Sequence, residues 1–115
     1  MTGLDVRSLD AVEPFTTKDG STIRELHHTA RQSLAEASLA PGQSTQRHYH
    51  RDSEEIYLVL EGRGELEVDD ATREVGPGDA VLIRPGARHE LRALEPLRFL
   101  CACAPAYQHE DTFFD

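Results

Sequence analysis

The sequence predicts an all-β fold, a sandwich or barrel of short strands. Turn-forming pairs such as Asp19-Gly20, Pro41-Gly42 and Pro85-Gly86 recur along the 115 residues, at intervals of about eight to twelve residues. Short segments rich in Val, Ile, Leu, Thr and Tyr lie between them, a pattern typical of β-sandwiches and barrels. The one helical alternative, residues 28–40, runs into Pro41-Gly42 and lacks a good start signal.

The predicted strands are rich in apolar and β-branched residues, and most of them have turn residues at both ends. In chain order we predict strands over residues 22–28, 33–39, 45–50, 55–60, 65–68, 72–75, 80–83, 89–92 and 97–103. The chain length is that of one domain, so we expect a single domain over residues 1–115.

The strand 55–60 is apolar on both faces after its first residue. Alternate side chains of a strand point to opposite faces, and a strand with one face in water normally alternates apolar with polar residues. We therefore expect its outer face to be covered by the N-terminal strand around Ile23, by the tail around Phe113, or by a second subunit. From this face we predict a homodimer.

The charge balance excludes two classes of partner. Twelve basic residues against 21 acidic ones give a formal net charge of -9, which repels nucleic-acid phosphates and anionic lipids. No apolar run is long enough to span a bilayer, and the first residues show no export signal. Cys101 and Cys103 are expected to be free thiols, since a bond between residues so close in sequence would be strained. We therefore expect a cytoplasmic protein with no nucleic-acid or membrane partner.

Three histidines and one carboxylate form the most informative pattern. His48 and His50 project from one face of a strand, Glu55 opens the next strand, and His89 follows the Pro85-Gly86 turn. Three imidazoles and a carboxylate suit a divalent first-row metal such as Mn, Fe, Co, Ni, Cu or Zn. On a metal that favours six ligands they leave positions open for water or substrate, as catalytic sites do.

Strand alternation predicts what surrounds this cluster. The expected pocket is mainly apolar, suits a small-molecule ligand, and is lined by Ser44, Gln46, Tyr57, Val59, Val81 and Ile83. Tyr57 is a candidate proton donor, or else a core tyrosine. Glu36 is a candidate general base if it faces inward, or else a surface charge.

The spacing of these residues resembles the cupin superfamily. Gly42, five residues, His48-x-His50, four residues, Glu55, six residues and Gly62 match its first motif, and the run from Gly78 to His89 is similar to its second. Pro85 lies one position later than usual in the second motif, and Ala93 replaces the usual asparagine.

More narrowly, the chain looks like the small single-domain bacterial cupins of the cupin 2 type labelled mannose-6-phosphate isomerase-like. The resemblance implies a jelly-roll barrel, the double-stranded β-helix, over about residues 33–104. It implies His48, His50, Glu55 and His89 as metal ligands; Glu54 has the wrong spacing to Gly62.

The sequence is compatible with two functions. The first is an enzyme that uses one divalent metal (Mn, Fe, Ni, Zn or Cu) on a small oxygenated or carboxylate metabolite, as an oxygenase, isomerase or lyase. The second is a non-catalytic module that binds a small molecule or a sugar on the same barrel. We favour the enzyme, because sensor cupins usually carry a DNA-binding helical domain that this sequence lacks.

Overall fold

The computed structural model describes residues 3–115, so residues 1 and 2 of the expected domain lie outside the described residues. Residues 3–115 form eleven β-strands and two short 3-10 turns, Leu9–Ala11 and His109–Asp111, which confirms the all-β prediction. The strands are β1 (Phe15–Thr16), β2 (Thr22–His28), β3 (Ser33–Leu39), β4 (Tyr49–His50), β5 (Glu54–Glu61), β6 (Gly64–Val68), β7 (Ala71–Val75), β8 (Ala80–Ile83), β9 (His89–Ala93), β10 (Leu97–Ala104) and β11 (Thr112–Phe113).

The strands pair into antiparallel sheets that form a jelly roll. A six-stranded sheet has the order β1-β2-β3-β10-β5-β8, a three-stranded sheet has the order β7-β6-β9, and β4 pairs with β11. The apolar core includes Val59 and Phe99 from the large sheet and Leu66 and Leu91 from the small one. This arrangement is the expected jelly-roll barrel. Within residues 3–115, no helix combines the length and hydropathy that crossing a membrane requires.

The strand predictions are correct to within one residue at each end, with one exception. The predicted strand 45–50 is wrong: only Tyr49–His50 is a strand, and isolated bridges join Ser44 to Arg92 and His48 to His89. The backbone N–H of Gln46 donates to the carbonyl of Asp19 (2.7 Å), in the β1–β2 turn. Because the backbone makes a detour from regular strand geometry here, the side chains of residues 45–50 do not alternate between the two faces of a sheet. The short strands β1 and β11 were not predicted.

The outer face of β5 is exposed. Ile56 and Leu58 are 47% and 37% exposed, and Leu82, which lies beside Ile56 on β8, is 44% exposed. Ile23 instead points into the barrel, and Phe113 pairs with Tyr49 at the β4 edge. The two intramolecular covers considered from the sequence are therefore wrong for residues 3–115.

Candidate metal centre

The fold brings the four predicted ligands together inside the barrel. His48 and His89 exchange backbone hydrogen bonds (3.1 and 2.8 Å), His50 ends β4, and Glu55 lies near the start of β5. One ligand atom from each residue lies within 4.8 Å of those of the other three. All four residues are buried, with exposures between 1% and 4%.

Backbone carbonyls fix the orientation of the three imidazoles. Nδ1 of His48 lies 2.6 Å from the carbonyl of Gln46, and Nδ1 of His89 lies 2.9 Å from that of Ala87. Nδ1 of His50 lies 3.1 Å from the carbonyl of Asp111. Because a carbonyl only accepts, each Nδ1 carries the proton and donates it, and each Nε2 of a neutral ring presents a lone pair. Those lone pairs are the ones a metal ion uses.

The inward-facing atoms show that the residues fit a cation. Glu55 Oε1 lies 3.0 Å from Nε2 of His89 and 3.2 Å from Nε2 of His50. Nε2 of His48, Nε2 of His89 and Oε1 of Glu55 are buried without a hydrogen-bond partner. Such atoms are costly to bury, and as long as the rings are neutral their lone pairs repel the carboxylate oxygen that faces them. A divalent ion among them would satisfy every one.

The electrostatics favour the ligand forms of His48 and Glu55. Burial, reinforced by the nearby His89, lowers the pKa of His48 from 6.5 to about 4. Burial acts to raise the pKa of Glu55, but His50 and His89 outweigh it and hold that pKa well below its usual value. For His50, burial acts to lower the pKa and the contacts with Glu55 raise it overall. At neutral pH, His48 is therefore a neutral imidazole and Glu55 a carboxylate, as metal binding requires.

Asp111 in the C-terminal tail holds the loop between two of the ligands. Its carboxylate accepts hydrogen bonds from the backbone N–H groups of Arg51, Asp52 and Ser53, all at 3.0–3.1 Å. Its carbonyl also accepts from Nδ1 of His50. Sequence analysis missed this residue, because its partners are backbone groups about sixty positions away and leave no sequence spacing to detect.

Asp19 in the β1–β2 turn is a second residue that sequence analysis missed. Its Oδ2 lies 3.3 Å from Nε2 of His48. Its Oδ1 accepts hydrogen bonds from the Thr17 hydroxyl (2.6 Å) and from the backbone and hydroxyl of Ser21 (2.9 and 2.8 Å). The sequence indicated only a turn at Asp19-Gly20. The structure turns this carboxylate towards the ligand cluster.

A cavity of about 40 Å³ adjoins the cluster. Of the predicted pocket residues, only Tyr57 lines it; its other walls include Asp19, Thr45, His50, Glu55, Cys101 and Cys103. The volume is enough for about three or four water molecules, since each needs about 10–15 Å³.

Five of the predicted pocket residues lie elsewhere. Gln46 is exposed and the Ser44 hydroxyl lies 3.3 Å from Glu90, because the detour at residue 46 turns Thr45 inward instead. Val59 and Ile83 are 2% exposed in the apolar core, and Val81 packs against that core. Alternation had placed these three on the correct face of the sheet, but they lie beyond the cavity.

The two predicted catalytic residues have different outcomes. Glu36 as an inward-facing base is wrong: Ala35 and Ala37 line the cavity, so Glu36 faces outward and pairs with Arg98 (2.7 Å) and Arg24 (3.6 Å). Tyr57 lines the cavity, with its ring centroid 4.8 Å from that of Phe99. Burial raises the pKa of Tyr57 well above 10, so its hydroxyl keeps its proton.

A jelly-roll barrel with three imidazoles and a carboxylate converging inside it defines a class, the β-barrel proteins with an internal cluster of side chains able to hold a metal ion. The family model described as "Cupin domain" matches residues 35–103, and the chain belongs to the cupin family. The narrower mannose-6-phosphate isomerase-like assignment stays a prediction.

The chain is also similar to individual proteins. It is 46% identical over 110 residues to the uncharacterized protein MJ1618 of Methanocaldococcus jannaschii, covering 90% of this chain and 88% of that protein. Its fold is similar to that of KdgF from Halomonas sp., with a TM-score of 0.84, 22% identity, and 95% and 99% of the two chains covered. It is also similar to Streptomyces Pac13 with uridine, with a TM-score of 0.83, 18% identity, and 98% and 90% covered. Pac13 is described as a nucleoside dehydratase.

Proposed function

We propose that the protein is an enzyme that uses one divalent transition metal on a small oxygenated or carboxylate metabolite. The observation that carries this proposal is the cluster of three inward-facing imidazoles and one carboxylate, buried beside a cavity that also contains an acidic group and a tyrosine. His48, His50, Glu55 and His89 would hold Mn, Fe, Ni, Zn or Cu. When bound, the metal supplies Lewis-acid chemistry, polarising a carbonyl or lowering the pKa of a water molecule.

The proposed roles of the other residues follow from their positions. Oδ1 of Asp19 accepts three hydrogen bonds, whereas Oδ2 faces His48. Oδ2 can therefore accept a proton at the edge of the cluster. Tyr57 remains protonated and can donate a hydrogen bond into the cavity. An acceptor and a donor on the walls of one cavity provide the groups that an isomerase, a lyase or an oxygenase needs.

The cavity limits what can reach the cluster. About 40 Å³ accommodates one functional group, such as a carboxylate or a carbonyl, and is far below the 300–1,000 Å³ typical of sites that enclose a drug-sized ligand. We therefore propose a substrate that inserts its reacting group while the rest stays outside. The uridine in Pac13 supports a small-molecule ligand for this fold, without assigning a reaction to this chain.

We further propose that the protein is a cytoplasmic homodimer. The free thiols of Cys101 and Cys103 support a reducing compartment. The exposed side chains of Ile56, Leu58 and Leu82 form one apolar patch on the outer face of the large sheet, which supports pairing with a second copy.

Metal analysis of protein purified without an affinity tag tests the proposed function. We expect about one equivalent of a transition metal in the wild type and its loss in the His48→Ala, His89→Ala double variant, which removes two of the four ligands. Asp19→Asn is the matched control, expected to keep the metal and to lose turnover of any substrate found.

The outcomes separate the two functions left open by the sequence. Iron, nickel or copper would direct assays to oxygen chemistry, and manganese or zinc to isomerisation and elimination. A wild type that neither contains nor takes up metal would contradict the enzyme and leave a non-catalytic module that binds a small molecule or a sugar.

A further inference from the structure

The two cysteines of the chain point at the far side of a proposed metal ligand. Cys101 and Cys103 lie on the inward face of β10, where Cys103 is paired in register with Glu55 on β5. Their sulfur atoms lie 3.1 and 3.4 Å from Oε2 of Glu55 and 3.7 Å from each other. The carboxylate therefore has imidazoles around Oε1 and thiols around Oε2. The centre described above uses Oε1 and leaves the thiols without a role.

The distances within this group are those of a tetrahedral metal site. Two sulfur ligands at about 2.3 Å from a tetrahedral zinc ion lie roughly 3.8 Å apart. A sulfur and a carboxylate oxygen at about 2.1 Å lie roughly 3.6 Å apart. The separations of 3.7, 3.4 and 3.1 Å in the structure agree with these edges to within about half an ångström. The three donors thus need little movement to share one ion.

We propose that Cys101, Cys103 and Oε2 of Glu55 form a second metal site, which takes soft or borderline ions such as Zn²⁺, Cd²⁺ or Cu⁺. Thiolates select such ions, whereas imidazole and carboxylate ligands also accept harder ions such as Mn²⁺. On binding, both thiols lose their protons to solvent and two metal–sulfur bonds form, with no change of oxidation state. Glu55 bridges the two sites.

The cavity provides space for the ion and for a water molecule as its fourth ligand. Glu55 and both cysteines line the space of about 40 Å³, which is enough for an ion and a water molecule. Cys101 is half-buried and Cys103 is buried, and both line this cavity. Two thiolates and a shared carboxylate also compensate the charge of a divalent ion inside the barrel.

Cadmium titration of the reduced, metal-free protein tests this site, because a thiolate bound to Cd²⁺ gives a charge-transfer band in the ultraviolet. The chain has two cysteines in all, so any such band must come from this pair. We expect about two equivalents of Cd²⁺ and the band in the wild type. We expect about one equivalent and no band in Cys101→Ser, Cys103→Ser, and about one equivalent with the band kept in His48→Gln, His89→Gln.

Thiol alkylation of the wild type gives a second readout that does not depend on variant folding. Cd²⁺ should protect the half-buried Cys101 from labelling at least tenfold, and Mn²⁺ should leave its labelling rate unchanged. A wild type that binds Cd²⁺ with neither the band nor protection would overturn the proposal and leave the thiols as hydrogen-bond donors to Glu55. Loss of the histidine site alone would leave both signals intact, so the two sites can fail separately.

Discussion

At the scale of single residues, the geometry of the proposed metal centre depends on which backbone carbonyl accepts the hydrogen bond of each imidazole. His48 and His89 both donate to the carbonyl two residues before them, so each is oriented by its own loop. His50 donates to the carbonyl of Asp111, 61 positions away. Two ligands are therefore held locally and the third is held by the tail. The third should be the most sensitive to changes outside the motifs.

Asp111→Asn should weaken metal binding without touching a ligand. In the wild type, Oδ2 of Asp111 accepts hydrogen bonds from the backbone N–H groups of Asp52 and Ser53. An asparagine amide NH₂ group in place of that oxygen is a donor, so it would face these two donors without forming a hydrogen bond. We expect affinity for Mn²⁺ to fall about tenfold, as when the groups that orient a ligand are lost. Calorimetric titration measures this. Asp115→Asn, an exposed tail carboxylate paired with Arg88, is the control and should bind as the wild type does. Equal affinities in all three proteins would show that the tail does not position His50.

The pH dependence of folding in metal-free protein should report the burial of His48. Because burial lowers its pKa from 6.5 to about 4, the unfolded chain binds more protons than the folded one between these values. This contribution is therefore fully present above about pH 6.5 and is lost as the pH falls towards 4, with a size of roughly 3 kcal/mol. Denaturant unfolding with a chelator, at about pH 7 and about pH 4.5, should show a smaller loss in His48→Gln than in the wild type.

The comparison with the variant removes the opposing effect of His50. Its raised pKa stabilises the folded protein below the unfolded value of 6.5, and that contribution is lost as the pH rises through the raised value. The contribution of His50 to stability therefore does not decline over the acidic pH range in which the contribution of His48 is measured. Identical slopes in the two proteins would mean that His48 keeps an ordinary pKa in the folded state.

At the scale of strands, the local sequence pattern predicted the bounds of those strands that local interactions determine. β8 matches its predicted bounds because turn residues flank it at both ends, and β2 and β3 match theirs although residues 29–32 between them contain no Gly, Pro, Asn, Asp or Ser. The strand predicted over residues 45–50 was wrong because the backbone N–H groups of this segment donate to the carbonyls of Asp19 and Leu91, and no local sequence pattern encodes those partners. The side of β3 on which Glu36 lies could not be chosen, since three consecutive residues, Ala35 to Ala37, are buried. The proposed ligands followed from the motifs that resemble the cupin superfamily, whereas Asp19 and Asp111 enter the site only through the tertiary fold.

Gly62, which ends the first motif, should be required where β5 turns into β6. It has a φ of +83°, and a Cβ there would overlap the carbonyl group of Pro96 in the β9–β10 turn. Gly62→Ala should lower the free energy of unfolding by about 3 kcal/mol or more, from backbone strain plus the steric overlap. Gly42→Ala, with a φ of +82° and open space around its Cβ, should cost only about 1–2 kcal/mol. Denaturant unfolding of both variants measures the difference, and equal losses would show that the Pro96 turn moves aside freely.

At the scale of the whole molecule, the two faces of the large sheet have different roles. The inner face carries Glu55, Tyr57 and both cysteines towards the cluster and its cavity. The outer face carries charge around Glu36 and Arg98 on β3 and β10, and exposed apolar side chains around Ile56 and Leu82 on β5 and β8. Opposite faces of one strand thus support the site and the proposed subunit contact. A change on the outer face should therefore alter assembly and leave metal content intact.

Ile56→Glu should convert a homodimer into a monomer that still binds its metal. The side chain is 47% exposed and sits in register between Leu82 on β8 and Ala102 on β10, so a carboxylate there would be buried against apolar groups of the partner copy. Sedimentation at micromolar concentration should give twice the chain mass for the wild type and the chain mass for the variant. Val6→Glu is the control, because Val6 is 77% exposed but lies outside this sheet, and it should remain a dimer. A monomeric wild type, or an Ile56→Glu variant that stays dimeric, would place the subunit contact elsewhere or remove it.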